Sequence, residues 1–244
     1  MPDMTINISS DLHVFIISWE GQHENALNIA NQLNDIRDMV SIVYSDPDDS
    51  FIFKADRKAI KRPNNLYWGD KFKACLDLCN HDNLLIIHGD CKSNGWIHVV
   101  ESYDRAIKSI NNLGVWAPLV DHTFFDLKKT SIAKFIDTNY EIVCYIEGIV
   151  FGFSRAIQNR MKLASYEKNI FGWGIDRMIA CSALVNNQLL IVDKSIKIEH
   201  PKHKGYDAKS ALEMGNLFIR QLSLLEFIQN ILINSFIGLN ASKK

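Results

Sequence analysis

The chain has 244 residues, is 47% hydrophobic and 23% charged, and carries a formal net charge of −1. That length can bury a sizeable core in one large domain, and the charge excludes the broad basic field of many nucleic-acid-binding proteins. Five cysteines, Cys75, Cys79, Cys91, Cys144 and Cys181, are odd in number and scattered, which fits a reducing compartment rather than a disulfide framework.

The elements follow in chain order. "HVFIISW" (13–19) reads as a buried strand, and "HENALNIANQL" (23–33) has apolar residues at helical spacing. "MVSIVY" (39–44) is a second strand, stopped by the turn signal "SDPDD". "FKADRKAIKRP" (53–63) gathers Lys54, Arg57, Lys58, Lys61 and Arg62 at a spacing that puts several on one helical face. A helix lies within 65–79, "NLLIIHGD" (83–90) is a third buried strand, and "GWIHVVESYDRAIKSINNL" is helical. "VWAPLV" is a strand, "YEIVCYIEGIVFGFSRAIQNRM" a strand pair leading into a helix, "RMIACSALVNN" a helix, and "QLLIVDKSIKIEHP" strand-rich. From Asp207 to Leu239 the pattern is a long apolar-periodic helix or helix pair. Alternating strands and helices predict an α/β domain with a mostly parallel sheet over 1–206, and a C-terminal helical extension over 207–244.

The N-terminus lacks the charged and apolar regions of a signal peptide. No uninterrupted apolar run approaches the ~18 residues of a spanning helix. A cytoplasmic protein is expected, with a peripheral place on the inner face of a membrane left open by the apolar tail. That tail can pack on its own domain, form a homodimer or lie on lipid. Cys75, Cys79 and His81 are spaced as soft metal ligands, although two small buried hydrophobes is the simpler reading.

Ligands of open α/β sheets bind beyond the carboxyl ends of the strands. Here those positions hold Ser18, Trp19 and Glu20; Asp46; His88, Gly89 and Asp90; Trp173 and Asp176; and His200 and His203. The set is acidic and histidine-bearing, and suits a divalent cation holding a phosphorylated ligand. There is no G-x-G-x-x-G after the first strand and no P-loop, which argues against an ordinary dinucleotide site and a P-loop NTPase. Asp176 follows "FGWGI" where a loop becomes a helix, as an N-cap of a helix beginning at Arg177, a catalytic base, or both.

This order of motifs resembles the nucleotide-sugar-dependent glycosyltransferases of the GT-A fold. It is most similar to the large inverting family that builds surface polysaccharides, and to the galactosyltransferase type with its Gly-Trp-Gly loop. The resemblance covers roughly residues 13–203. It implies that Ser18, Trp19, Glu20, Asp46, His88 and Asp90 contact the nucleotide or donor sugar. It also implies that Trp173 and Gly174 lie near the sugars, and that Asp176 is the general base. Asp90, with His200 or His203, would hold Mn²⁺ or Mg²⁺. "IEGIVFGFSRAI" resembles the strand and helix near donor sugar and acceptor. Two positions depart from the pattern: His88 replaces the first aspartate of the Asp-x-Asp motif, and Ile175 replaces an acidic residue before Asp176.

The implied activity is transfer of a sugar from a nucleotide-diphosphate donor, a UDP-sugar first, to a glycan, lipid-linked or other hydroxyl acceptor. A sugar-phosphate nucleotidyltransferase and a catalytically degenerate binding module are the alternatives. Nucleic acid is not an expected partner, the basic cluster being its one supporting feature.

Overall fold

The computed structural model describes residues 8–49, 51, 53, 58–63, 67–201 and 206–242. In chain order the elements are β1 (Leu12–Ser18), α1 (His23–Gln32), a 3-10 segment (Asn34–Met39), β2 (Val40–Tyr44), β3 (Lys58–Lys61), α2 (Tyr67–Leu78) and β4 (Asn83–His88). Then come α3 (Trp96–Ser109), β5 (Leu113–Val120), α4 (Leu127–Thr130), β6 (Ser131–Lys134), β7 (Tyr140–Val143), β8 (Val150–Ser154) and α5 (Arg155–Lys162). The last are α6 (Ile175–Val185), β9 (Leu189–Ile198), α7 (Ala208–Ile219) and α8 (Leu224–Ala241).

These strands form one sheet in the order β3-β2-β1-β4-β8-β5-β9-β7-β6. The β3–β2, β2–β1, β1–β4 and β5–β9 pairs are parallel, whereas β8 lies antiparallel between β4 and β5. The carboxyl ends of β1, β2, β4, β5 and β9 therefore open on one edge, together with the start of β8.

Side chains alternate across a strand. Phe15, Ile17, Leu84 and Ile86 enter one buried cluster with α2, α5 and α6. Leu12, Val14, Ile16, Leu85 and Ile87 enter another with α1 and α3. Both faces of the sheet are covered, which is why its central strands read as continuous apolar runs. Phe218 of α7 and Ile233 and Ile237 of α8 join the first cluster, so the helical extension shares the domain's core.

The structure corrects two expectations and bears out the simpler reading of Cys75 and Cys79. The basic stretch is not a helical face where it is described: Lys58–Lys61 is edge strand β3, and Lys54 and Arg57 lie outside the described residues. Of its described cations, Lys61 pairs with Asp49 and Arg62 makes two 2.7 Å bonds to Asp70. Cys75 and Cys79 are fully buried in the apolar cluster, and the Cys79 thiol donates to the His81 carbonyl at 3.6 Å. They group with no third ligand among the described residues. Finally, α8 has 18 residues and a mean hydropathy of 1.2, so it has the length and composition of a spanning helix, which the sequence pattern did not suggest.

At the amino end of β1, buried His13 stacks on Phe15 at 4.3 Å and its Nε2 meets Ser41 Oγ at 2.9 Å. Burial, and then the neighbouring His81, lowers its pKa from 6.5 to about 4. Below pH 6.5 the unfolded chain binds a proton that the native imidazole refuses until about pH 4. Stability therefore falls as pH drops through that window, by up to about 3 kcal/mol. His13→Gln should flatten this slope in urea unfolding measured above and within the window.

Candidate functional site

At the open edge, His88 ends β4 and Asp90 follows two residues later. After Asp90 the chain crosses two strands: Lys92 and Glu199 form an antiparallel bridge with two 2.9 Å backbone bonds. That bridge brings His200, just past β9, to Asp90, with Nε2 3.6 Å from Oδ2. The backbone N–H of His200 donates to Asp121 Oδ1 at 3.0 Å, which ties the corner to the end of β5. One donor atom each from His88, Asp90 and His200 lies within 4.8 Å of the others.

The chemistry of this cluster fits a divalent cation. Burial, then the proximity of His200, lowers the His88 pKa to about 3, so it is a neutral imidazole at neutral pH, the form that ligates metals. Among the described residues its Nε2 is buried with no hydrogen-bond partner, as is Nδ1 of His200. Burial raises the Asp90 pKa although His200 opposes it, and burial lowers that of His200 although Asp90 opposes it. Both shifts express the cost of burying charge, and a bound cation would reverse that logic for the carboxylate. Trp68, at 5.2 Å, and Trp19, edge-on at 6.1 Å, wall the His88 ring.

Asp176 stands on the other side of Gly148. It lies one residue inside α6, which begins at Ile175 with Gly174 (φ +84°) at the cap, so it is not the N-cap of a helix starting at Arg177. Its Oδ2 accepts from the Tyr145 hydroxyl at 2.5 Å and its Oδ1 from the Arg177 N–H at 2.7 Å. Burial raises its pKa, and the Tyr145 bond is the main opposing influence. The Arg177 guanidinium sits 4.5 Å over the Tyr145 ring. The Gly148 backbone hydrogen-bonds to both His88 and Asp176, so one residue links the histidine corner to the carboxylate. Tyr145, Gly148 and Arg177 were not singled out from sequence. They fall beside motifs that were, and no periodicity marks them.

The other expected residues are placed as follows. Ser18 is fully buried and its hydroxyl meets His23 Nδ1 at 2.9 Å. Glu20 is exposed on the loop after β1. Asp46 is buried, and its Oδ2 accepts the Phe51 N–H at 2.8 Å, closing its own loop. Trp173 turns to the helical extension, donating from Nε1 to the Tyr206 hydroxyl at 2.8 Å. His203 lies outside the described residues.

The loop glycines face protein: a Cβ on Gly172 (φ +77°) would lie 2.2 Å from the Trp68 ring, and one on Gly174 would lie 3.1 Å from the Gly215 carbonyl. They let the loop pack closely on Trp68 and Gly215. Gly69 in α2 does the same from below, its Cβ position lying 2.0 Å from the Asn169 carbonyl oxygen. Gly69→Ala should therefore displace this loop and cost about 1–3 kcal/mol, read as a lower urea midpoint.

Neither a protein-family model nor a curated protein matches the sequence. Among solved structures the chain is similar to the mannosyltransferase PcManGT from Pyrobaculum calidifontis in complex with GDP-Man and Mn²⁺. That match has 11% identity and a TM-score of 0.59 over 96% of this chain and 76% of that one. GalNAc-T7 with UDP, GalNAc and Mn²⁺ matches at 10% identity and a TM-score of 0.61, over 88% of this chain and 48% of that one. A Bacillus anthracis structure assigned as a glucose-1-phosphate thymidylyltransferase, in complex with a sucrose, matches at 12% identity and a TM-score of 0.50, over 87% and 97%. The chain has the GT-A fold. At these identities the likeness is one of architecture, shared by glycosyltransferases and nucleotidyltransferases alike.

Proposed function

We propose that this chain is a metal-assisted glycosyltransferase that moves a sugar from a nucleotide-diphosphate donor to an acceptor hydroxyl. The observation that carries the reading is the meeting of His88, Asp90 and His200 at one corner, with Asp176 joined to it through the backbone of Gly148. His88, Asp90 and His200 would hold the cation, Mn²⁺ or Mg²⁺, which when bound offsets charge on the leaving diphosphate. Trp19 and Trp68 would close the donor side against water. Asp176 takes the proton of the acceptor hydroxyl as that oxygen bonds to the anomeric carbon and the bond to the diphosphate oxygen breaks. Tyr145 and the Arg177 N–H aim the carboxylate and keep it ionised.

A sugar-phosphate nucleotidyltransferase is the competing use of the fold. The loop after β1, Trp19 to Gln22, holds one glycine and no cation, which favours the glycosyltransferase. The missing first aspartate of the Asp-x-Asp pattern supports a degenerate module, and the gathered ligands and base weigh against it. Incubation with a panel of nucleotide-sugars and Mn²⁺ tests the reading. Release of nucleoside diphosphate with transfer of the sugar supports it. Release of pyrophosphate from nucleoside triphosphate and sugar phosphate supports the nucleotidyltransferase instead.

A further inference from the structure

The outer face of α8 is apolar and uncovered. Leu224, Phe227, Ile228, Ile231, Leu232 and Leu239 stand between 43% and 75% exposed, and only 22% of the helix is buried. No charge interrupts this face: the helix's single ionised residue, Glu226, points inward to Arg160. Single exposed leucines are ordinary, but a contiguous helical face of them marks an interaction surface.

Cations flank both ends of the face. At its start, Ser165 and Gln221 exchange two bonds, of 2.7 and 3.0 Å, and Arg160 clamps Gln221 and Glu226. This places Lys162 and the protruding Leu163 beside Arg220 and Leu224. At its end, Asn240 donates to the Lys129 carbonyl at 3.2 Å, which sets Lys128 and Lys129 alongside Leu239. None of these four cations forms an ion pair among the described residues.

We propose that this face lies on an anionic lipid surface. Charge decides against the other occupant, a second copy of the chain. If two α8 helices pair antiparallel, Lys162 and Arg220 of one copy oppose Lys128 and Lys129 of the other; if parallel, each cationic end opposes itself. Both arrangements set cation against cation beside a desolvated seam, whereas anionic headgroups satisfy both ends. The helix lies in the interface rather than across it. Glu226, Asn230, Ile233 and Ile237 hold its inner face in the domain, and spanning would tear them out. The proposal stands apart from the sugar-transfer reading, since it uses no residue of that site.

Flotation of the full chain with vesicles tests it. The chain should float with phosphatidylcholine vesicles containing phosphatidylglycerol, and bind vesicles of phosphatidylcholine alone at least about tenfold more weakly, since each cation near an anionic surface contributes about fivefold. High salt should weaken the binding. The double variant Ile228→Glu, Leu232→Glu should lose flotation while melting like the wild type, because both side chains are exposed. The charge variant Lys128→Glu, Arg220→Glu should lose the preference for phosphatidylglycerol. A concentration-dependent dimer in light scattering that Ile228→Glu, Leu232→Glu abolishes would overturn the proposal in favour of a second copy. A monomer that floats with neither vesicle would overturn it outright.

Discussion

Asp176→Asn should lower turnover by about 10²–10⁴-fold while leaving nucleotide affinity within a few-fold of wild type. The carboxamide keeps the shape and can still accept from the Arg177 N–H, and the Tyr145 hydroxyl can accept from the new amide. What disappears is the ability to take a proton from the acceptor. The donor side is spared because His88, Asp90 and His200 are held by β4 and β9 rather than by α6. A companion variant fixes the sign of the pH effect. The Tyr145 hydrogen bond holds the Asp176 pKa down against burial, so Tyr145→Phe should let it rise. The carboxylate then protonates earlier as pH falls, and the acid limb of the rate profile moves to higher pH. Near-full transfer by Asp176→Asn would remove it as the base.

The largest stability loss is expected from Arg160→Leu. The guanidinium meets Glu226 with two bonds, of 2.7 and 2.9 Å, and the Gln221 carbonyl at 2.9 Å. Glu226 is only 3% exposed and also closes the capping box of α8 by accepting the Ser223 N–H at 2.7 Å. Burial alone would raise its pKa, but the bonds to Arg160 and Ser223 outweigh it and hold the pKa below the ordinary value. With Arg160 gone, a buried carboxylate is left without its cation, at a cost of about 3–5 kcal/mol. That is a large share of a typical domain's stability. Guanidinium unfolding would show it, and Arg160→Leu combined with Glu226→Gln should recover part, because the uncompensated charge is then removed. A loss below about 1 kcal/mol would mean that solvent screens the pair and that apolar packing alone docks α8.

The central strands were legible because both faces of the sheet are covered, so β1, β2 and β4 appear as unbroken apolar runs. Edge strands β3 and β6 were not, because "KAIK" and "SIAK" are short, half polar and buried on neither side. His88, Asp90, Asp176 and His200 could be named from their positions at strand ends. The resemblance implied that Asp90 meets His200 or His203, but the strand pattern alone did not, since β4 and β9 are separated in the sheet by β8 and β5 and their ends are brought together by the Lys92–Glu199 bridge. The Gly-Trp-Gly loop was seen, but its glycines answer to Trp68 and Gly215, neighbours that only the folded chain supplies.

The most direct test of the account is calorimetric titration of UDP and GDP into the wild type and Asp90→Ala, each with Mn²⁺ or with EDTA. The account predicts that one nucleotide binds the wild type with Mn²⁺ and about tenfold or more weakly with EDTA, and that Asp90→Ala shows no such difference. Equal affinity with and without metal in both proteins would contradict the metal corner. Absence of binding by either nucleotide would contradict the glycosyltransferase reading itself.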